Sequence, residues 1–211
     1  YEPLGAGDEV GGDFYDLFAT DAGWTAAIGD VCGTGAEAAV VTGMVRHTLR
    51  ALELTHGEPA AVLSRLNQAV RRHAPASRLC AVGLAHLTAL EPGFRVDLTC
   101  AGHPPALILR SDGEVEELGA DGSLLGVDDD LHLVTTTHEL EAGDALVLYS
   151  DGIVEARRDG ELFGFERLRA AVAAAAGRAA HEITAGVQAA VREFAPGPPS
   201  DDRALLVLRA G

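Results

Sequence analysis

The 211 residues carry 32 Asp and Glu against 16 Lys and Arg, a formal charge of −16, with apolar residues making up 47% of the chain. That field repels nucleic acid and anionic membrane unless cations intervene, and the apolar share suffices for a packed core rather than a disordered chain. No apolar run approaches the roughly 18 residues of a membrane-spanning helix, and no signal-type segment opens the chain. A soluble, cytoplasmic domain that binds neither nucleic acid nor membrane is expected.

The length suits one domain over residues 1–211, and the opening at Tyr1 rather than Met reads as a piece of a longer chain. Cys32, Cys80 and Cys100 are odd in number, far apart and without CxxC spacing, so they read as reduced thiols.

In chain order, 13–18 and 24–31 read as two strands joined by a turn at 21–23, signalled by Asp and Gly. After Gly35, Val41, Val45, Thr48, Leu49 and Leu52 share one helical face, and Val62, Leu66 and Val70 do so again after Pro59. Strand-like runs at 79–88, 94–101, 106–110, 131–138 and 145–150 follow, separated by Gly, Pro and Asp. Helical spacing returns with Phe165, Leu168 and Val172, then with Ile183, Val187, Val191 and Phe194. The prolines at 196–199 break the chain before a last strand at 204–209. Strands bracketed by helix pairs, without regular βαβ alternation, predict an α+β fold: a central sandwich of mainly antiparallel sheets flanked by helices.

Three aspartates stand where a strand runs into a glycine-rich or polar turn: Asp30 in GDVCGTG, Asp151 in YSDG and Asp201 in PSDDRALLVL. Strand ends are where a rigid sheet aims side chains at a common point. Gathered carboxylates raise each other's pKa unless a cation neutralises them, and oxygen donors suit Mg²⁺ or Mn²⁺. Each of the three, taken singly, is also an ordinary turn former. In GGDFYD, Asp13 and Asp16 lie three apart and point to opposite faces of a regular strand, so at most one joins a cluster. Gly33 and Gly35 either bring the Val31 carbonyl and nearby amides close to a ligand or simply close a tight turn.

Other chemistries lack their parts. Position 38 is Ala where a cysteine-phosphatase loop around Cys32 needs Arg, so Cys32 reads as filler beside the site. There is no GxxxxGK[ST] or HExxH, and GAGDEVG at 5–11 has the wrong spacing for GxGxxG. His103 in AGHPP is either a proton donor or ligand, or a turn residue bonded locally.

The segments VGGDFYD, GDVCGTG, AGHPP, SLLGV, YSDGIVEA, GELFGFERL and DDRALLVL occur in this order from about residue 10 to 208. Together they resemble the RsbU/SpoIIE-like branch of the type 2C (PPM) metal-dependent serine/threonine protein phosphatases. The resemblance implies a β-sandwich flanked by helix pairs, with a site for two or more Mn²⁺ or Mg²⁺ ions between the sheets. Asp30 would bridge the ions, the Val31 carbonyl would ligate one, Asp151 and Asp201 would complete the set, and Asp13 would support the second. Asp202 is the alternative if the register of the DD pair slips by one. The implied reaction is in-line attack on phosphorus by water activated between the ions, with Asp30, Asp151 and Asp201 as the catalytic residues and no phosphoenzyme.

The implied substrate is phosphoserine or phosphothreonine on a STAS-domain anti-anti-sigma protein, in partner switching that releases a sigma factor. The resemblance also implies sensor domains upstream in a longer protein, with the helices after Gly35 as the switching element. Movement of 36–54 would then shift the Asp30–Val31 turn about Gly33 and Gly35, and exposed helix faces leave room for a homodimer. Thr34 stands where the branch often has His, and Arg203 and Ala204 replace an apolar residue and Thr. Those departures leave a catalytically weak or inactive regulator as the alternative. A nuclease or small-molecule phosphatase using the same two-metal chemistry is a further rival, disfavoured by the charge.

Overall fold

A computed structural model describes residues 1–3, 11–55, 57–75 and 78–211. Of the sequence features named above, Val10 and most of the glycine run at 5–11 fall outside the described residues. The chain opens with a hairpin, β1 (Phe14–Thr20) and β2 (Gly23–Val31), followed by α1 (Gly35–Glu53) and α2 (Pro59–His73). Then come β3 (Cys80–Ala89), β4 (Phe94–Ala101), β5 (Ala106–Leu109), β6 (Val115–Leu118), β7 (Thr135–Leu140) and β8 (Ala145–Tyr149). The one-turn helix α3 (Asp151–Val154), the small hairpin β9 (Arg157–Arg158) and β10 (Glu161–Leu162), α4 (Gly164–Ala173), α5 (Ala180–Phe194) and β11 (Leu205–Arg209) complete it.

Two antiparallel sheets result, one ordered β1-β2-β3-β4-β7 and the other β11-β8-β5-β6. Along β2 the side chains alternate between two buried environments. Ala26 and Ile28 face the second sheet, where they meet Ile108, Leu146 and Leu148. Ala27 and Val31 face the helices, with Val45, Leu49, Leu63 and Leu66 packed over them. On the other side α4 and α5 place Leu168, Val172, Ile183, Val187 and Val191 over Leu107, Val147 and Tyr149. The four layers are helices, sheet, sheet, helices, as the pattern of strands and helix pairs predicts.

The strand predicted at 131–138 is displaced. Leu131 and Leu133 pack beside the α1–α2 core rather than in a sheet, and pairing with β4 begins at Thr135, opposite Thr99, and runs to Leu140, opposite Phe94. β6 lies in an acidic stretch that carries no strand-like apolar alternation; its paired position beside β5 comes from the hairpin, and its polarity suits a sheet edge. β8 ends at Tyr149, which leaves Ser150 and Asp151 to open α3 rather than extend the strand.

The register brings all the functional strand ends to one end of the sandwich. Phe14 pairs with Gly29, so the start of β1 lies beside the end of β2. Leu205 pairs with Tyr149, so the start of β11 lies beside the end of β8.

Candidate active site

Asp13 and Asp30 flank the paired ends of β1 and β2, while Asp151 and the Asp201–Asp202 pair flank those of β8 and β11. The two sheets are tied together there by Ser150, whose hydroxyl donates to Asp13 Oδ2 at 2.5 Å and accepts the Ala204 N–H at 2.9 Å. Ser150 is fully buried, so this bridge holds Asp13 against the opposite sheet.

The carboxylates feel one another. Burial, followed by the neighbouring Asp151, Asp201 and Asp202, pushes the Asp30 carboxyl up to about 6. Asp13 rises to about 8, first through burial and then through Asp30, Asp202 and Asp151, against the opposing hydrogen bond from Ser150. Asp201 is raised by burial and by Asp151, Asp202 and Glu155. Among the described residues no three His, Cys, Asp or Glu side chains draw together as a ready set around one point. The aspartates instead border a shared space from two sides.

Close approach of backbone to these groups depends on glycine. A Cβ at Gly12 would stand 2.0 Å from the Val31 carbonyl oxygen and 2.5 Å from Asp30 Oδ1, so those two oxygens lie side by side over Gly12. A Cβ at Gly11 would fall 1.1 Å from Asp202 Oδ2, and one at Gly152 would fall 1.9 Å from the Asp202 carbonyl oxygen. Residues 11–13 therefore pass between Asp202 on one side and Asp30 with Val31 on the other. Several carboxylates and a backbone carbonyl, all hard oxygen donors in a partly desolvated cleft, fit Mg²⁺ or Mn²⁺. Bound cations would relieve the repulsion that burial imposes on the aspartates.

Asp16 is elsewhere, as strand alternation requires. Its carboxylate takes two hydrogen bonds from Arg50, from Nε at 2.7 Å and Nη2 at 2.6 Å, and so fastens β1 to α1. Burial pushes the Asp16 carboxyl up, but Arg50 and Arg46 outweigh it and hold the group below the usual carboxylate range.

Asp201 and Asp202 divide between them the place the sequence left open. Asp201 is exposed and within electrostatic reach of Asp151, Glu155 and Asp30, and its Oδ1 accepts the Asp202 N–H at 2.9 Å. Asp202 is 2% exposed and stands against Gly11, within electrostatic reach of Asp13.

His103 is buried beside Gly83 with Nδ1 2.9 Å from the Pro104 carbonyl, and burial pulls its pKa down to about 4. A neutral ring that donates from Nδ1 to its own turn matches the local-turn reading, while Nε2 has no partner among the described residues. The Cys32 thiol is pushed up by burial and by Asp30, which makes it a poor nucleophile. All three cysteines are free. Gly33 and Gly35 both take positive φ, +103° and +82°, and Arg78 Nη1 donates to the Cys32 carbonyl at 2.7 Å across that turn. Thr34 is the N-cap of α1 without a side-chain capping bond.

Sequence reasoning missed Ser150 and the glycines Gly11, Gly12 and Gly152. Consecutive glycines directly before an aspartate were the available signal of close backbone approach.

The helix-covered antiparallel sandwich matches the fold of solved PP2C-type phosphatase domains. The SiaA-PP2C domain of Pseudomonas aeruginosa superposes with a TM-score of 0.82 at 24% identity, over 95% of this chain and 81% of that one. The PP2C domain of SpoIIE from Bacillus subtilis superposes with a TM-score of 0.80 at 20% identity, over 99% and 60%. Residues 20–211 match the family described as Stage II sporulation protein E (SpoIIE), and the chain belongs to that family. Among curated relatives, the phosphoserine phosphatase RsbU of Bacillus subtilis (strain 168) is 27% identical over 202 residues. The alignment takes in 95% of this chain and only 60% of that relative's length.

Proposed function

We propose that this domain is a metal-dependent serine/threonine phosphoprotein phosphatase whose substrate is a phosphorylated STAS-domain anti-anti-sigma regulator. The observation that carries the reading is the electrostatic reach of Asp13 and Asp30, at the end of one sheet, to Asp151, with Asp201 also in reach of Asp30, at the end of the other, across one space that the Val31 carbonyl borders. The name of the RsbU relative, a phosphoserine phosphatase, supports it.

In this reading Asp30 is the central ligand, with Asp151 and Asp201 facing it from the opposite sheet and the Val31 carbonyl beside it. Asp13 holds the second position, fixed by Ser150. Two or more Mn²⁺ or Mg²⁺ ions bound there would supply Lewis acidity, making water nucleophilic near neutral pH and offsetting phosphoryl charge. Without cations the aspartates repel a phosphate ester, so activity requires them. The thiol of Cys32 is held protonated and His103 is neutral and buried, which favours direct transfer to water over a phosphoenzyme. Arg203 and Ala204 leave the aspartates in place, since Ala204 serves Ser150 through its backbone N–H.

Upstream sensor domains would act through α1, which leads directly from Gly35 and is tied to β1 by Arg50, and Gly33 with Gly35 would be the hinge. Self-association through exposed helix faces belongs to the same reading. Among the described residues no helix is long and apolar enough to cross a membrane.

The substrate class is tested by comparing phosphate release, with Mn²⁺ present, from a phosphoserine STAS-domain protein, a phosphotyrosine peptide and a nucleotide. The STAS protein is expected to be hydrolysed at least tenfold faster than the other two. Preference for the nucleotide would transfer the site to a small-molecule phosphatase.

A further inference from the structure

The segment 1–3 lies against the turn that carries Asp201 and Asp202. Glu2 and Arg203 form an isolated antiparallel bridge in which each N–H donates to the other's carbonyl at 2.9 Å. The Glu2 carboxylate is held between two guanidinium groups: Oε1 accepts from Arg192 Nη2 at 3.1 Å, and Oε2 accepts from Arg203 Nη1 at 3.3 Å. Arg192 belongs to α5, so the segment is fastened both to the entry of β11 and to a covering helix. One residue earlier, Tyr1 is 49% exposed and lies within electrostatic reach of Asp202 and Asp13.

Arg203 gives this arrangement its force. Its side chain is 5% exposed, and a buried guanidinium is costly unless a carboxylate meets it. Glu2 is its ion partner, and the Arg203 Nε has no acceptor among the described residues. Loss of Glu2 would drive Arg203 toward water and drag the backbone next to Asp202. Position 203 is also one of the places where this chain departs from the pattern it otherwise resembles, with Arg in place of an apolar residue. The stretch 195–200 before the aspartates holds three prolines and a glycine and forms no helix or strand, so the turn needs fastening from outside. From the inside it is held by Ser150, whose N–H donates to the Ala204 carbonyl at 3.0 Å. From the outside it is held by Glu2.

We infer that residues 1–3 act as a strap, clamped by Arg192 and Arg203, in which Glu2 is the positioning residue that holds the Asp201–Asp202 turn in its cation-binding geometry. The inference rests on the metal-centre reading above. Partners of this kind orient ligands without touching the ion, and their removal costs roughly 10–100-fold in metal affinity.

The test is calorimetric titration with Mn²⁺ of the wild type, Glu2→Gln, Glu2→Ala and Asp201→Asn, with melting curves in EDTA. Glu2→Gln keeps the shape of the side chain and removes only the charge that meets Arg192 and Arg203. It is expected to weaken Mn²⁺ binding about tenfold while still melting cooperatively. Glu2→Ala should weaken binding at least as much. Unchanged Mn²⁺ affinity in both Glu2 variants, beside an Asp201→Asn variant that has lost affinity, overturns the strap and leaves the metal centre standing. Wild-type affinity in Asp201→Asn overturns the metal-centre reading and the strap with it.

Discussion

Asp30→Asn is expected to melt higher than wild type in EDTA at pH 8 and to lose Mn²⁺ binding altogether. The Asp30 carboxylate is largely buried and faces Asp151, Asp201 and Asp202, which together lift its pKa to about 6. At pH 8 the folded, metal-free chain must therefore hold an ionised group in surroundings that favour the neutral form. Asn has the same shape, and pairing of position 30 with Ala81 uses only backbone. Removing the charge should add on the order of 1–2 kcal/mol, several degrees for a chain of this size. The same change removes the group proposed as the central metal ligand. Scanning fluorimetry in EDTA and calorimetry with Mn²⁺ check the two halves. A lower melting temperature in EDTA would show that Asp30 is a structural partner rather than a strained ligand, a trade-off common at functional sites.

Gly12→Ala should be the most damaging single methyl addition at the site. The new Cβ would sit 2.0 Å from the Val31 carbonyl oxygen, and the Gly12 carbonyl itself accepts the Val31 N–H at 3.1 Å and the Thr42 hydroxyl at 3.3 Å. The obstacle is backbone, so relief requires moving residues 11–13 away from β2, which separates Asp13 from Asp30. A loss of about 3 kcal/mol or more in stability, together with the loss of Mn²⁺-dependent activity, is expected. Gly35→Ala is the control: its φ is +82° but its Cβ would meet nothing within 4 Å, so only local strain of about 1 kcal/mol is incurred. Chemical denaturation of both proteins compares them directly, and equal losses would contradict the close-approach argument.

The legible parts of the fold were those set by local periodicity. β2 alternates Ala26 and Ile28 with Ala27 and Val31, and α5 repeats Ile183, Val187 and Val191 on one face, so both could be read without knowing their neighbours. β7 was misplaced because Leu131 and Leu133 look strand-like, yet they pack against the helices, and the register is decided by β4. Asp30, Asp151 and Asp201 were visible as strand-end aspartates, and alternation alone separated Asp13 from Asp16. The contacts of Ser150 with Asp13 and of Glu2 with Arg203 join residues more than 130 positions apart, across the sandwich or over its edge. No local pattern encodes such meetings. Arg203 looked in the sequence like a departure that weakened the site, and it proves to be the buried partner of Glu2.

The most direct test is phosphate release from a phosphoserine STAS-domain protein by wild type and by Asp151→Ala, in Mn²⁺ and in EDTA. Asp151 comes from the sheet opposite Asp30, so the variant asks whether the two sheets build one centre. Turnover by wild type in Mn²⁺ alone, with none by a folded Asp151→Ala, is the predicted result. Turnover that survives EDTA, or an Asp151→Ala variant as fast as wild type, would contradict a metal-dependent phosphatase centre between the sheets.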